Sequence, residues 1–117
     1  MEKQHKVQCY AAPLEGITGY IYRNAHQHIF QGVDKYYTRE KNDIAPEHNK
    51  NIPVVPQILT NKAADFIKVA GMMEELGYKE VNLNLGCPSG TVVSKKKGSG
   101  FLADLEGMKY FFDEVFS

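Results

Sequence analysis

Short runs of β-branched and aromatic residues alternate along the chain with longer stretches whose apolar positions recur at helical spacing. Val7-Gln8-Cys9-Tyr10-Ala11 reads as a first strand, closed by Pro13 and Gly16. From Thr18 the period changes. Ile21, Ala25 and Ile29 recur at i, i+4 and i+8, and Gln31-Gly32 supplies the stop. Val33 to Thr38 is β-prone, whereas Arg39 to Asn51 is charged, aperiodic and reads as a surface loop. Ile52 to Leu59 is the next strand; Pro53 and Pro56 are awkward inside a ladder, which places the strand core at Val54–Leu59. Thr60-Asn61 offers an N-cap for a helix running to Leu76, with Gly77 as C-cap and Ala63, Phe66, Ile67, Ala70 and Met73 on one face. Glu80 to Leu85 alternates at period two, a fourth strand. A loop rich in glycine and lysine, Gly86 to Gly100, leads to a last helix capped by Asp104 and carrying Leu105, Met108, Phe111, Phe112 and Val115.

Strands that alternate with helices imply parallel βαβ units with right-handed crossovers. Two closed solutions exist, an open doubly wound sheet and a (β/α) barrel. Four such units are half of a (β/α)8 barrel, whose usual length is about 250 residues. The chain has 117 residues and stops at Ser117, at the end of the fourth unit. The expected fold is therefore α/β of TIM-barrel type, about the first half of a (β/α)8 barrel, with residues 1–117 as one N-terminal portion of a longer protein.

Composition narrows the function classes. Fourteen Lys and Arg balance fourteen Asp and Glu, which argues against a protein-wide electrostatic footprint for nucleic acid or membrane but leaves room for a local patch. No apolar run approaches the ~18 residues of a membrane span, and Met1 to Lys6 has no apolar stretch behind it to make a secretory signal. The two cysteines, Cys9 and Cys87, cannot build a disulfide framework or by themselves a zinc site, so the default is a reduced, cytoplasmic protein. His26 and His28 are two apart on one helix, do not share a face and are not a metal pair.

In such folds chemistry collects at the carboxyl ends of the strands. Ala12 to Gly16, Thr38, Gln57, and Asn84 with Gly86, Cys87 and Pro88 all fall there. Cys87 stands in a Gly-Cys-Pro turn just past a strand. A free thiol titrates near about 8.5 and is mostly protonated at neutral pH, so it can donate a proton without special tuning. The bland alternative is a small buried hydrophobe, the reading that fits mid-strand Cys9. Gln57 and Asn84 each offer donors and an acceptor that suit the edge of a flavin or pyrimidine ring, or a satisfied interior amide. Pro13-Leu14-Glu15 could lay backbone against a planar cofactor, or be an ordinary turn. Lys95-Lys96-Lys97 is either a solvated loop or a phosphate contact on the same rim.

Taken together, these motifs resemble those of the tRNA-dihydrouridine synthases. Asn84-Leu85-Gly86-Cys87-Pro88-Ser89, Val92 and Gly98-Ser99-Gly100-Phe101-Leu102 resemble that family's N-x-G-C-P signature. Ala12-Pro13-Leu14-Glu15-Gly16-Ile17-Thr18 with Tyr22-Arg23 resembles its opening A-P-M-x-x-V-T-D-x-x-F-R, and Val55-Pro56-Gln57-Ile58 its third-strand glutamine segment. The resemblance implies an FMN-binding (β/α)8 barrel followed by a helical RNA-binding domain, and reduction of a uridine in tRNA with NADPH as reductant. By position it implies Cys87 as proton donor to C5, Pro13, Leu14, Glu15 and Gln57 as FMN contacts, and Asn84 near the uracil, with no metal and no membrane.

Gly19 stands where many members have Asp, Leu14 where many have Met, and the span between Thr38 and Arg39 is short for the family. The family's second half-barrel and RNA domain would lie beyond Ser117, so the chain by itself is expected to be inactive. Two alternatives remain at this level. One is an FMN barrel of the dihydroorotate-dehydrogenase type, whose frame is N-x-S-C-P-N and which Gly86 and Ser89 disfavour. The other is a non-catalytic half-barrel that binds a partner.

Overall fold

Strands and helices alternate as the periodicity requires. A computed structural model describes residues 6–39 and 41–117. In order, the elements are β1 (Tyr10–Ala11), α1 (Tyr20–Phe30), β2 (Lys35–Thr38), β3 (Val54–Ile58), α2 (Ala63–Glu75), β4 (Asn82–Leu83), α3 (Gly90–Val93) and α4 (Leu105–Val115). Short 3-10 turns occupy Lys41–Ile44, Pro46–His48 and Gly98–Ala103. Glu40, within the expected loop, lies outside the described residues. The strand order is β1-β2-β3-β4, with β1–β2 and β3–β4 parallel. Sequential parallel order is that of a barrel; a doubly wound sheet reverses at a switch point. The fold is thus α/β of TIM-barrel type, with the strand succession of half a (β/α)8 barrel. The residues group into two compact units, Met1–Val55 and Pro56–Ser117.

In the first unit β1 is shorter than its apolar run. Cys9 N–H is taken by the Asp34 carboxylate at 2.8 Å, so the ladder begins at Tyr10, paired with Lys35. Cys9 is exposed, not the core residue its mid-strand position implied. Helix α1 also departs from its periodicity. Ile21 and Ile29 are 72% and 68% exposed, and the residue it buries is Arg23. The reason is a polar lock. Arg23 Nη1 donates to Thr18 O at 3.1 Å and lies 3.4 Å from Asp43 Oδ2; Nη2 donates to Asp43 O at 3.1 Å and to Asn49 Oδ1 at 2.9 Å. Gly19, the α1 N-cap, has no side chain to offer, and Asp43 Oδ1 accepts from Tyr20 N–H at 3.1 Å instead. A carboxylate from the loop after β2 therefore caps α1 and neutralises its buried guanidinium. Other residues tie the same loop to α1. His48 stacks on Tyr20 with centroids 3.9 Å apart, and Asn24 Nδ2 donates to His48 O at 3.0 Å.

Tyr36 on β2 is buried, with its hydroxyl 2.7 Å from His26 Nδ1 and donating to Gln27 Oε1 at 3.2 Å. Burial, and to a lesser degree neighbouring Tyr22, raises the Tyr36 phenol above its ordinary 10.0.

In the second unit, α2 stops as Gly77 foretells. Gly77 takes φ +95°, its N–H reaches Glu74 O at 2.9 Å, and Tyr78 N–H reaches Met73 O at 3.0 Å. These are the paired bonds of a Schellman end, where a left-handed residue is needed. At its other end α2 starts at Ala63, later than expected, with Lys62 as N-cap and Thr60 Oγ1 accepting from Lys62 N–H. Phe111 on α4 is the hub of the core: its ring meets those of Phe66, Phe101 and Phe112 edge-on, at 5.6, 5.5 and 5.4 Å. Phe101, Met73 and Ile58 are buried with it. The expected loop after β4 contains α3 and the 3-10 turn Gly98–Ala103. Asp104 caps α4 as expected, accepting from Gly107 N–H at 3.0 Å.

Two outcomes follow. Removing Asp43 strands a guanidinium that is 1% exposed, and breaking a buried pair from one side typically costs about 3–5 kcal/mol. Asp43→Ala should therefore lower the unfolding free energy from urea titration by about 3 kcal/mol or more, and a loss under about 1 kcal/mol would contradict the lock. The Tyr36 phenol gives a second, pH-dependent outcome. Its folded pKa is raised, so the unfolded chain loses this proton first, and the contribution present below about pH 10 is lost as pH rises through that value. Tyr36→Phe should be about 1 kcal/mol less stable at neutral pH, for its lost hydrogen bonds. The gap should narrow above pH 10 in thermal melts.

Candidate functional site

The end of β4 is shaped by one side chain. Asn84 N–H still belongs to the ladder, donating to Ile58 O at 2.8 Å. Its side-chain Oδ1 then accepts from Gly86 N–H and Cys87 N–H, both at 3.0 Å. This Asx turn bends the chain out of the sheet and sets Cys87 at the strand's carboxyl end. The Cys87 carbonyl is held from the other side, by Ser99 N–H and Ser99 Oγ, each at 3.0 Å. Cys87 is thus fixed at both its N–H and its C=O, while its thiol is free and half-buried.

Gly98 makes the second clamp possible. It has φ +56°, and a Cβ there would lie 2.7 Å from Cys87 O and 2.9 Å from Cys87 Cβ. Gly100 is close-packed in the same way, its would-be Cβ 2.7 Å from Val93 O. The Gly-Ser-Gly stretch is a seat for the cysteine turn.

Beside the turn, three amides join the ends of β3 and β4. Asn84 Nδ2 donates to Gln57 Oε1 at 2.8 Å, and Gln57 Nε2 donates to Asn82 Oδ1 at 2.9 Å. Gln57 retains one N–H and one lone pair, and Asn84 one N–H. That donor–acceptor mix fits the heteroatom edge of a flavin or pyrimidine ring. Gln57, Asn84 and Cys87 are brought together as expected. Asn82 joins them and was not anticipated as a site residue, although the period-two alternation of Glu80–Leu85 puts it on the face of Asn84. Ser99 was likewise missed; its signal was only its place between two glycines.

Pro13, Leu14 and Glu15 belong to the first unit and form a turn of their own. Leu14 O accepts from Ile17 N–H at 3.1 Å and Thr18 N–H at 3.0 Å, while Leu14 N–H donates to Thr18 Oγ1 at 2.7 Å. Thr18 thus ties the turn to the start of α1, whose Arg23 holds Thr18 O. Leu14 is exposed, and Glu15 makes a solvated ion pair with Arg39 at 3.5 Å, worth little by itself. In the second unit Lys95 and Lys96 are exposed, and Asn61 Nδ2 holds their carbonyls at 3.1 and 3.3 Å. Among the described residues no helix is long and apolar enough to cross a membrane, and no three His, Cys, Asp or Glu side chains are grouped to hold a metal ion.

The seat at Gly98 makes a direct test of this geometry. Gly98→Ala combines a left-handed φ with a backbone contact at 2.7 Å and two side-chain contacts at 2.9 Å and should cost about 2 kcal/mol or more. It should also loosen the cysteine turn, read as faster amide exchange at Cys87 and Ser99. Unchanged stability and exchange would show that the seat does not constrain Cys87.

The family model described as dihydrouridine synthase matches residues 12–115. A probable tRNA-dihydrouridine synthase of Staphylococcus epidermidis is 27% identical over 105 residues, covering 78% of this chain and 32% of that protein. One from Staphylococcus aureus has the same identity and coverage, and a probable tRNA-dihydrouridine synthase 2 of Bacillus subtilis is 28% identical over 105 residues. The chain spans about a third of the length of these curated relatives. With a match from the turn after β1 to the last residue of α4, the chain belongs to the dihydrouridine synthase family.

Proposed function

We propose that this chain supplies the proton donor and part of the flavin and uracil contacts for reduction of uridine to dihydrouridine in tRNA. The observation that carries the reading is the double clamp on Cys87, by Asn84 Oδ1 at its N–H and Ser99 at its C=O, beside the Gln57–Asn84 amides. A backbone held at both ends fixes the Cα–Cβ bond that carries the thiol, which a proton donor needs and a core cysteine does not. FMN, when bound, supplies the reducing equivalents drawn from NADPH. The residues at hand fit such a ring. Gln57 offers it one N–H and one lone pair, and the family resemblance adds Pro13, Leu14 and Glu15 as FMN contacts. Asn84 keeps one N–H for a uracil carbonyl. Saturating the C5–C6 bond of uracil requires a proton at C5, and the Cys87 Sγ–H is the donor in this reading. General acid catalysis of this kind is worth about 10²–10⁴-fold.

A uridine must leave its stack to reach such a site, and the freed nucleotide carries its phosphates with it. Lys95 and Lys96, held in place through their carbonyls by Asn61, are suited to meet them. A tRNA substrate supports a cytoplasmic location for the protein.

The test is genetic and chemical at once. Disrupting the gene that encodes this chain should remove dihydrouridine from at least one position in tRNA, measured by mass spectrometry of digested tRNA. Restoring the gene should return it; restoring it with Cys87→Ala should leave that position below about 10% modified in growing cells, the expected loss of general acid catalysis being about 10²-fold or more. Undiminished dihydrouridine after disruption would reject the reading. Full modification with Cys87→Ala would reject the role of the thiol alone.

A further inference from the structure

The three amides at the ends of β3 and β4 have a fixed polarity, and it can be derived from donors whose identity is not in question. Backbone N–H groups of Gly86 and Cys87 can only donate, so the Asn84 atom 3.0 Å from both is its oxygen. Asn84 must then turn Nδ2 toward Gln57, whose facing atom at 2.8 Å has to be Oε1. Gln57 Nε2 consequently faces Asn82 at 2.9 Å, and the Asn82 atom it meets has to be Oδ1. Reversing any single amide would set two donors or two acceptors face to face, which costs a hydrogen bond and a repulsion. The Asx turn is thus the root of a relay, and the direction runs from Asn84 through Gln57 to Asn82.

Asn84 by itself would hold only the oxygen end of Gln57 and leave the amide free to pivot about that bond. Asn82 holds the nitrogen end. Register supports this pairing, since Gln57 and Asn82 are partners in the β3–β4 ladder. Asn82 Nδ2 takes no protein partner among the described residues, so the side chain's one bond within this group is the one to Gln57.

We propose that Asn82 is a positioning residue, which fixes the plane and polarity of the Gln57 amide so that one N–H and one lone pair are presented in set places to a ring. The ring's being a flavin rests on the function proposed above; the relay does not.

The experiment uses nuclear magnetic resonance on the 117-residue chain, with three variants and lumiflavin, the ring without its phosphate, as probe. In the unsubstituted chain the Gln57 side-chain N–H protons should show cross-peaks to Asn82 and be protected from exchange. Asn82→Leu removes the acceptor and should abolish that protection. Asn82→Asp keeps an oxygen in the same place and should rescue it. Asn84→Asp retains the Asx turn but has no N–H for Gln57, so the relay should reverse and the Gln57 protons should move toward residue 84. Lumiflavin affinity should fall about tenfold in Asn82→Leu, the usual worth of one well-placed hydrogen bond, and return to within about twofold in Asn82→Asp.

Unaltered Gln57 exchange in Asn82→Leu, or an unreversed Gln57 in Asn84→Asp, would overturn the relay. Equal loss of lumiflavin affinity in Asn82→Leu and Asn82→Asp would make Asn82 a direct contact and overturn its positioning role. Relay signatures as expected, with no lumiflavin response at Gln57 in any chain, would uphold the relay and reject the flavin reading instead.

Discussion

The Asn84 side chain is the constraint on which the site is built. Its backbone ends the β3–β4 ladder while its Oδ1 gathers the next two free N–H groups, so strand, turn and cysteine are one hydrogen-bonded piece. A residue without a side-chain acceptor at this position would leave the Gly86 and Cys87 N–H groups to find other partners. The Ser99 clamp depends on it in turn, because Cys87 O meets Ser99 only if the turn delivers it there. Gly98 then follows as a steric necessity, since Cys87 fills the space a side chain at 98 would need. Family membership and local physics converge at Asn84: the asparagine of the N-x-G-C-P motif is the side-chain acceptor on which this turn closes.

The fold was legible where local chemistry decides. Gly77 and Asp104 mark helix ends because a left-handed residue and a side-chain acceptor are what those ends demand, and both residues meet that demand. Strand limits were less legible because ladders depend on partners. Ile58 turns its carbonyl toward Asn84, just past β4, and two residues earlier the same edge of β3 is Pro56, which has no N–H to give. That is why β4 starts at Asn82 although alternation begins at Glu80. On α1 the apolar stripe misled, because a buried guanidinium bonded through both its terminal nitrogens outweighed it. No reading of local periodicity can find Asp43 as that partner, twenty positions from Arg23.

Within the site, Gln57, Asn84 and Cys87 were legible from their places at strand ends, and they do meet. Asn82 was hidden by its position inside a strand, where an amide reads as one of an alternating polar row. Its importance comes from register, which pairs it with Gln57 and which a single strand's sequence does not disclose. Pro13, Leu14 and Glu15 were legible as a turn. What locks it, Thr18 and through it Arg23, ties the turn after β1 to a buried charge by bonds that no motif spells out.

The cap on α4 carries an implication for how this sequence can drift. A Cβ added at Gly107 would sit 2.2 Å from Asp104 Oδ2, the carboxylate that holds the helix start. The clash falls on a movable side chain, so a larger residue at 107 would displace the carboxylate and leave the backbone path intact. Positions 104 and 107 are therefore epistatic. A lineage that first loses the aspartate is free to fill position 107, and after that a returning aspartate finds its place taken. The order of two substitutions, not their identity alone, decides whether the helix that carries Phe111 into the core keeps its cap.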